Sequence, residues 1–117
     1  INNRIQKFTN NGKFITKWGT NNGNGNLDPL ENWGKEEGDL FLPTGISIDQ
    51  NDNVYVTDTS NNRMNVYDSN GNFIEQFGEF SGAAGQFFSP QGLDVNQHGE
   101  IIIADGLLQR ISFFKKE

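Results

Sequence analysis

Apolar residues in this chain come in short bursts separated by Asn, Asp, Ser and Gly, and no stretch shows convincing helical periodicity. The clearest unit reads as four strands near Thr44 to Asp49, Asn53 to Thr57, Arg63 to Tyr67 and Phe73 to Phe77, each about five residues long. Ser69-Asn70-Gly71 and Asn10-Asn11-Gly12 supply the Asn and Gly that hairpin turns need for positive φ, so both predict hairpins joining a third strand to a fourth. Phe14, Ile15 and Trp18, like Phe73, Ile74 and Phe77, place apolar side chains on both sides of one strand. That pattern predicts strands buried on both faces. The longest unbroken aliphatic run, Ile101 to Ile103, is far below the roughly 20 residues of a membrane-spanning helix, so neither a span nor a signal peptide is expected.

The bursts repeat. Shifted by 47 residues, Gly38 to Tyr67 falls without a gap on Gly85 to Phe114. Gly38 meets Gly85, Phe41 meets Phe88, Pro43 meets Pro90, Gly45 meets Gly92, Asp58 meets Asp105 and Arg63 meets Arg110. A third, partial copy runs from Asn2 to Gly19 and matches Asn61 to Gly78 at an offset of 59. The extra residues fall in an insertion at 20–37. Four strands per unit at this period predict an all-β propeller, in which each blade is a small twisted sheet that needs its neighbours to cover its faces. Residues 1–117 are expected to form a single partial module: two strands of one blade, one full four-stranded blade and three strands of the next.

Composition narrows the function classes. Only 33% of the 117 residues are apolar, but ten are Phe, two are Trp and 14 are Gly, which suits aromatic strands joined by tight turns. The formal charge of −6, with Lys115 and Lys116 as the one basic pair, argues against a nucleic-acid surface. Without cysteine there is no disulfide framework and no thiolate metal site, and the compartment stays undetermined. Because the first residue is Ile1, the chain is expected to be processed or part of something longer.

A Gly and an aromatic precede Pro-x-Gly-Ile at Pro43 to Ile46. Val54-Tyr55-Val56-Thr57-Asp58-Thr59, Asn61-Asn62-Arg63, Asn70-Gly71-Asn72-Phe73 and a closing Phe77-Gly78 follow. This succession resembles the NHL repeat. In the last copy Gly106-Leu107-Leu108 replaces Thr59-Ser60-Asn61. The resemblance implies a ring of about six blades with the first strands lining the axis. It also implies that the second-to-third-strand turns and the links between blades share one face. Members of that family serve as protein- or RNA-binding platforms, extracellular sensors and, in one branch, a zinc-dependent amidating lyase, so function has to come from the site.

On the shared face the expected ligand-binding residues are Arg4, Asn62, Arg63 and Arg110, with Trp33 and Glu31 in the insertion. Asp58 with Arg63, and Asp105 with Arg110, are also placed to clamp their turns by charge-assisted hydrogen bonds. Trp33 can equally fold back over a blade edge. The Phe-rich stripes read as core. Asn22 to Leu27 lacks the third Gly of a nucleotide loop. The oxygen clusters at Asp49 to Asn53 and Asp68 to Asn72 lack the Gly of a calcium loop and read as turns. His98 is the sole histidine, so a zinc site of about three protein ligands is not expected, nor is any cofactor.

The resulting expectation is a non-catalytic propeller scaffold for a protein, peptide or glycan ligand. Its alternative is a fragment of a metal-dependent lyase or hydrolase whose active residues lie in other blades. Nine strands cannot close a ring of about 24, so the open edges call for head-to-tail self-association or the remainder of a longer propeller.

Overall fold

The computed structural model of the chain describes residues 3–19, 36–78 and 87–115. Its hairpins are set by their turns. Asp68 Oδ1 accepts the amides of Asn70 and Asn72, both at 2.9 Å, and Gly71 takes φ +89°, which reverses the chain between two strands. Asp49 caps the turn at Asn51 to Asn53 in the same way, and Asn96 caps the one at His98 to Glu100.

Among the described residues these turns join nine strands into three antiparallel sheets. Strands β1 (Ile5–Phe8) and β2 (Phe14–Trp18) pair as one sheet. The central sheet, in chain order, holds β3 (Gly45–Ile48), β4 (Val54–Asp58), β5 (Arg63–Tyr67) and β6 (Phe73–Phe77). A 3₁₀ turn at Thr59–Asn61 links β4 to β5. The third sheet is β7 (Pro90–Val95), β8 (Glu100–Asp105) and β9 (Arg110–Lys115). No α-helix occurs among the described residues. This is an all-β incomplete propeller with two strands of one blade, one full blade and three strands of the next, and in the repeat register β1–β2 are the equivalents of β5–β6 and β7–β9 those of β3–β5.

The core lies between sheets, as blades require. Val54, Val56 and Tyr67 face Trp18 and Leu40 in the first seam, with Ile5 and Phe73 packed beside them. The alternate residues Tyr55, Met64 and Val66 face Phe87, Val95, Ile101 and Ile103 in the second. Strand β4 is therefore buried along its length, and each large side chain so covered contributes roughly 1.5–3 kcal/mol. The glycine closing each fourth strand makes room for the next blade. A Cβ on Gly19 would stand 2.6 Å from Leu40, and one on Gly78 would collide with Phe87.

The expectation of two buried faces fails on the outer strands. Phe14, Ile15 and Ile74 are nearly half exposed, whereas Trp18 is buried. Register shifts pair Phe8 with Phe14 and Tyr67 with Phe73, and the extra residue of each bulge, Ile15 or Ile74, turns outward. Phe14 sits with Phe8 on the face of the first sheet turned away from the central blade. The opposite end is open too: Ile102, Ile111 and Phe113 are 39%, 67% and 57% exposed, although their repeat counterparts Tyr55, Met64 and Val66 are buried by a neighbouring blade.

Candidate functional site

The turn from β4 to β5 and the arm leading into β3 share one face, and a buried carboxylate holds them together. Asp58 ends β4 fully buried and accepts from Phe41 N at 2.6 Å, Asn61 Nδ2 at 2.9 Å and Arg63 Nε at 2.7 Å. Burial pushes its pKa up, against the lowering effect of those three donors. The Arg63 guanidinium is also buried. Its Nη1 donates to Gln76 Oε1 at 2.9 Å, and its Nη2 donates to the carbonyls of Glu36 and Asp39 at 2.9 and 2.8 Å. One side chain thus ties a turn, an outer strand and the incoming arm.

The next blade repeats this more loosely. Asp105 accepts from Phe88 N at 3.0 Å and Leu108 N at 3.4 Å, while Arg110 Nε stands 4.0 Å away. Leu108 occupies the place of Asn61, so the side-chain amide that helps hold Asp58 has no counterpart here. In the first sheet Arg4 Nε is buried and has no hydrogen-bond partner among the described residues.

Asn62 reaches across a seam: its Oδ1 accepts Ser89 N at 2.7 Å, and Asn3 does the same for Leu42 N at 2.8 Å. Both asparagines take positive φ, 54° and 48°. The structure therefore brings Asn62, Arg63 and Asp58 to one turn and puts Arg110 with Asp105 on the equivalent turn one blade on. Arg4 occupies the same repeat position in the first sheet. Trp33, Glu31 and the link at 79–86 lie outside the described residues, as does most of the insertion.

Three features of this region escape a reading of the sequence. Asn65, buried at the centre of β5, donates to the Asp39 carbonyl at 3.0 Å and to Tyr67 Oη at 3.1 Å, and Tyr67 in turn donates to the Gly38 carbonyl at 2.9 Å. Its signal was a lone amide between apolar strand neighbours. The Thr57 and Thr59 hydroxyls donate across the second seam to the carbonyls of Gln91 and Pro90 at 2.5 and 2.7 Å. Leu42 and Leu107, on the incoming arm and on the turn from β8 to β9, are 38% and 60% exposed. Their backbones are held by Asn3 Oδ1 and by the Phe88 carbonyl.

Among the described residues there is no group of three or more His, Cys, Asp or Glu that could hold a metal ion. His98 is exposed in a turn. The oxygens of Asp49 and Asp68 serve their own turns. For Asp49, burial opposes ionisation but the donors Asn53, Asn51 and Tyr55 outweigh it, and Asp68 is lowered chiefly by the Asn72 side chain and amide. No described helix is long and apolar enough to cross a membrane.

The NHL repeat family model matches residues 42–67, from the arm before β3 to the end of β5. Protein lin-41 of Caenorhabditis elegans is 45% identical over 51 residues, covering 41% of this chain and 4% of its own length. The RING finger protein nhl-1 of the same organism is 36% identical over 72 residues, covering 62% of this chain and 7% of its own. The chain thus spans less than a tenth of these relatives. In fold, virginiamycin B lyase from Staphylococcus aureus superposes with a TM-score of 0.55 over 97% of this chain and 34% of the lyase, at 19% identity. The matched repeat lies on the one complete blade, and that blade's register recurs on either side of it, so this chain is similar to the NHL-repeat proteins along its described strands.

Proposed function

We propose that this chain is a non-catalytic recognition scaffold that binds a protein or peptide through the face carrying the β4–β5 and β8–β9 turns and the arms between blades. The observation that carries the proposal is the pair Leu42 and Leu107, apolar and exposed on backbone that hydrogen bonds already fix. A surface ordered before contact loses little conformational freedom on binding, and exposed aliphatic side chains suit a peptide better than a glycan. Arg63 and Asp58 hold the face in shape from beneath it, and Ser60 and Gln109 add exposed polar groups at its rim. The proposal also includes completion of the open ends, by other copies or by further blades of a longer chain.

The test uses a phage-displayed random peptide library against the immobilised chain, with a pool of single-stranded RNA as competitor. Selected peptides should lose at least about tenfold in affinity, or 1.4 kcal/mol, with Leu42→Lys or Leu107→Lys, and RNA should not displace them. Peptides indifferent to both substitutions, or displaced by RNA, would overturn the reading.

A further inference from the structure

A cavity of about 230 Å³ lies at the other end of β4 from the β4–β5 turn, between the β3–β4 turn and the β7–β8 turn of the next blade. Asp49, Gln50 and Asn51 form one wall, Gln97, His98 and Gly99 face them, and no apolar side chain lines it. At the 47-residue shift Gln50 matches Gln97 and Asn51 matches His98. Both hairpins are complete, so two equivalent turns of successive blades enclose the space.

The walls are held by their own turns. Asp49 Oδ1 accepts Asn51 N at 2.8 Å and Asn96 Oδ1 accepts His98 N at 2.9 Å, while Gln50 Nε2 donates across the gap to the Gln97 carbonyl. That last bond leaves Gln50 Oε1 as an acceptor. The Asn51 and Gln97 carboxamides and the His98 imidazole are exposed and make no side-chain hydrogen bond among the described residues. Where the first turn has Asp52 the second has Gly99, both at positive φ, 63° and 76°. A Cβ on Gly99 would meet nothing within 4 Å, so the cavity stays open at that wall.

This set of groups selects among ligands. The Asp49 carboxylate in the wall disfavours an anion. A cation finds no spare carboxylate oxygen, because Asp49 Oδ1 holds the amides of Asn51 and Asn53, and Oδ2 accepts Asn53 Nδ2 and Tyr55 Oη at 3.3 and 3.1 Å. An apolar peptide anchor has nothing here to bury against. What fits is a neutral ligand whose polar groups each give and take a hydrogen bond, as hydroxyls do and as carboxamides and an imidazole answer. We infer that this cavity binds a terminal ring of a neutral carbohydrate, with its hydroxyls on Asn51, Gln97 and His98 and on Gln50 Oε1. The volume is below the roughly 300–1,000 Å³ of sites for drug-sized ligands, so it takes one ring rather than a chain of them. The peptide face lies at the opposite end of the strands, and the carbohydrate site goes beyond that reading.

His98 is the only histidine in the chain, so its ring gives a single imidazole signal in proton NMR. The full chain is titrated separately with the methyl glycosides of glucose, galactose, mannose, fucose and N-acetylglucosamine. At least one should shift the His98 ring and the Asn51 and Gln97 side-chain amides saturably, and guanidinium and inorganic phosphate should not. Gly99→Asn tolerates the positive φ and restores a side chain where the preceding turn has Asp52, so it should weaken binding at least about tenfold. Asn51→Ala, at an exposed position, should weaken it about fivefold through one lost hydrogen bond. The absence of a saturable shift with every glycoside, saturation by guanidinium or phosphate instead, or unchanged affinity in both variants would overturn the inference. Peptide selection at Leu42 and Leu107 reads out separately, so either conclusion can fail alone.

Discussion

Asn62 and Ser89 belong to different blades, yet the Asn62 side-chain carbonyl accepts the Ser89 amide at 2.7 Å, and Asn3 and Leu42 repeat the bond at 2.8 Å across the preceding seam. A residue with positive φ thus both turns its own strand entry and staples the next blade. Asn tolerates that backbone, and its short side chain places the oxygen.

Asn62→Ala should destabilise the chain by about 1–3 kcal/mol, because it strands a partly buried amide and adds left-handed strain. Asn62→Gly relieves the strain but not the lost bond, so it should fall between the two. Urea unfolding curves at equal m-values measure the difference.

The two clamps should differ in strength. Arg63→Ala leaves the fully buried Asp58 without its guanidinium and should cost about 3–5 kcal/mol. Arg110 is 30% exposed and its Nε stands 4.0 Å from the buried Asp105, so Arg110→Ala should cost less than Arg63→Ala. Equal losses in thermal unfolding would contradict the geometry.

Gly12 and Gly71 occupy the same place in their hairpins and share φ +89°, but a Cβ on Gly12 meets nothing within 4 Å while one on Gly71 lies 2.5 Å from the Trp18 ring. Ala at position 12 should cost about 1–2 kcal/mol from backbone strain alone. At position 71 overpacking against Trp18 should add about 1–3 kcal/mol. The difference between the two variants measures the first seam.

Alkaline titration should be silent near the usual tyrosine range. Tyr55 is pushed up to about 12, by burial first and then by its hydrogen bond to Asp49, and Tyr67 is raised further by burial. Both folded values exceed the unfolded one of about 10, so the phenols contribute stability that is full below pH 10 and is lost as pH rises through about 12. These are the only two tyrosines in the chain. Phenolate absorbance should therefore stay flat at pH 10 and rise together with unfolding above it. A transition at pH 10 in the folded protein would refute the burial of both rings.

At the acid end, Asp49 should contribute to the loss of stability. Its folded pKa lies below 3.8, so its contribution is present above that value and lost as pH falls through the lower folded one. Asp49→Asn should flatten the loss of stability as pH falls below about 3.8, as followed by thermal melts.

Strand positions, hairpin turns and blade order were legible in the sequence because each depends on neighbours a few residues away: Asn70-Gly71 makes its turn wherever the chain goes. The resemblance to the NHL repeat was legible for the same reason, since the repeat recurs in register. The pairing of Asp58 with Arg63 could be anticipated from a strand end and a strand start five residues apart. Burial could not be read this way. Tyr55 and Ile102 hold one repeat position, but the first is covered by Val95 and Ile101 of the next sheet while the second faces outward. Composition does not record which blade has a neighbour. The bulges that turn Ile15 and Ile74 out, the cross-seam bonds of Asn62 and Thr57, and the role of Asn65 also needed the tertiary structure, because each arises from contacts made after the sheets have formed and stacked.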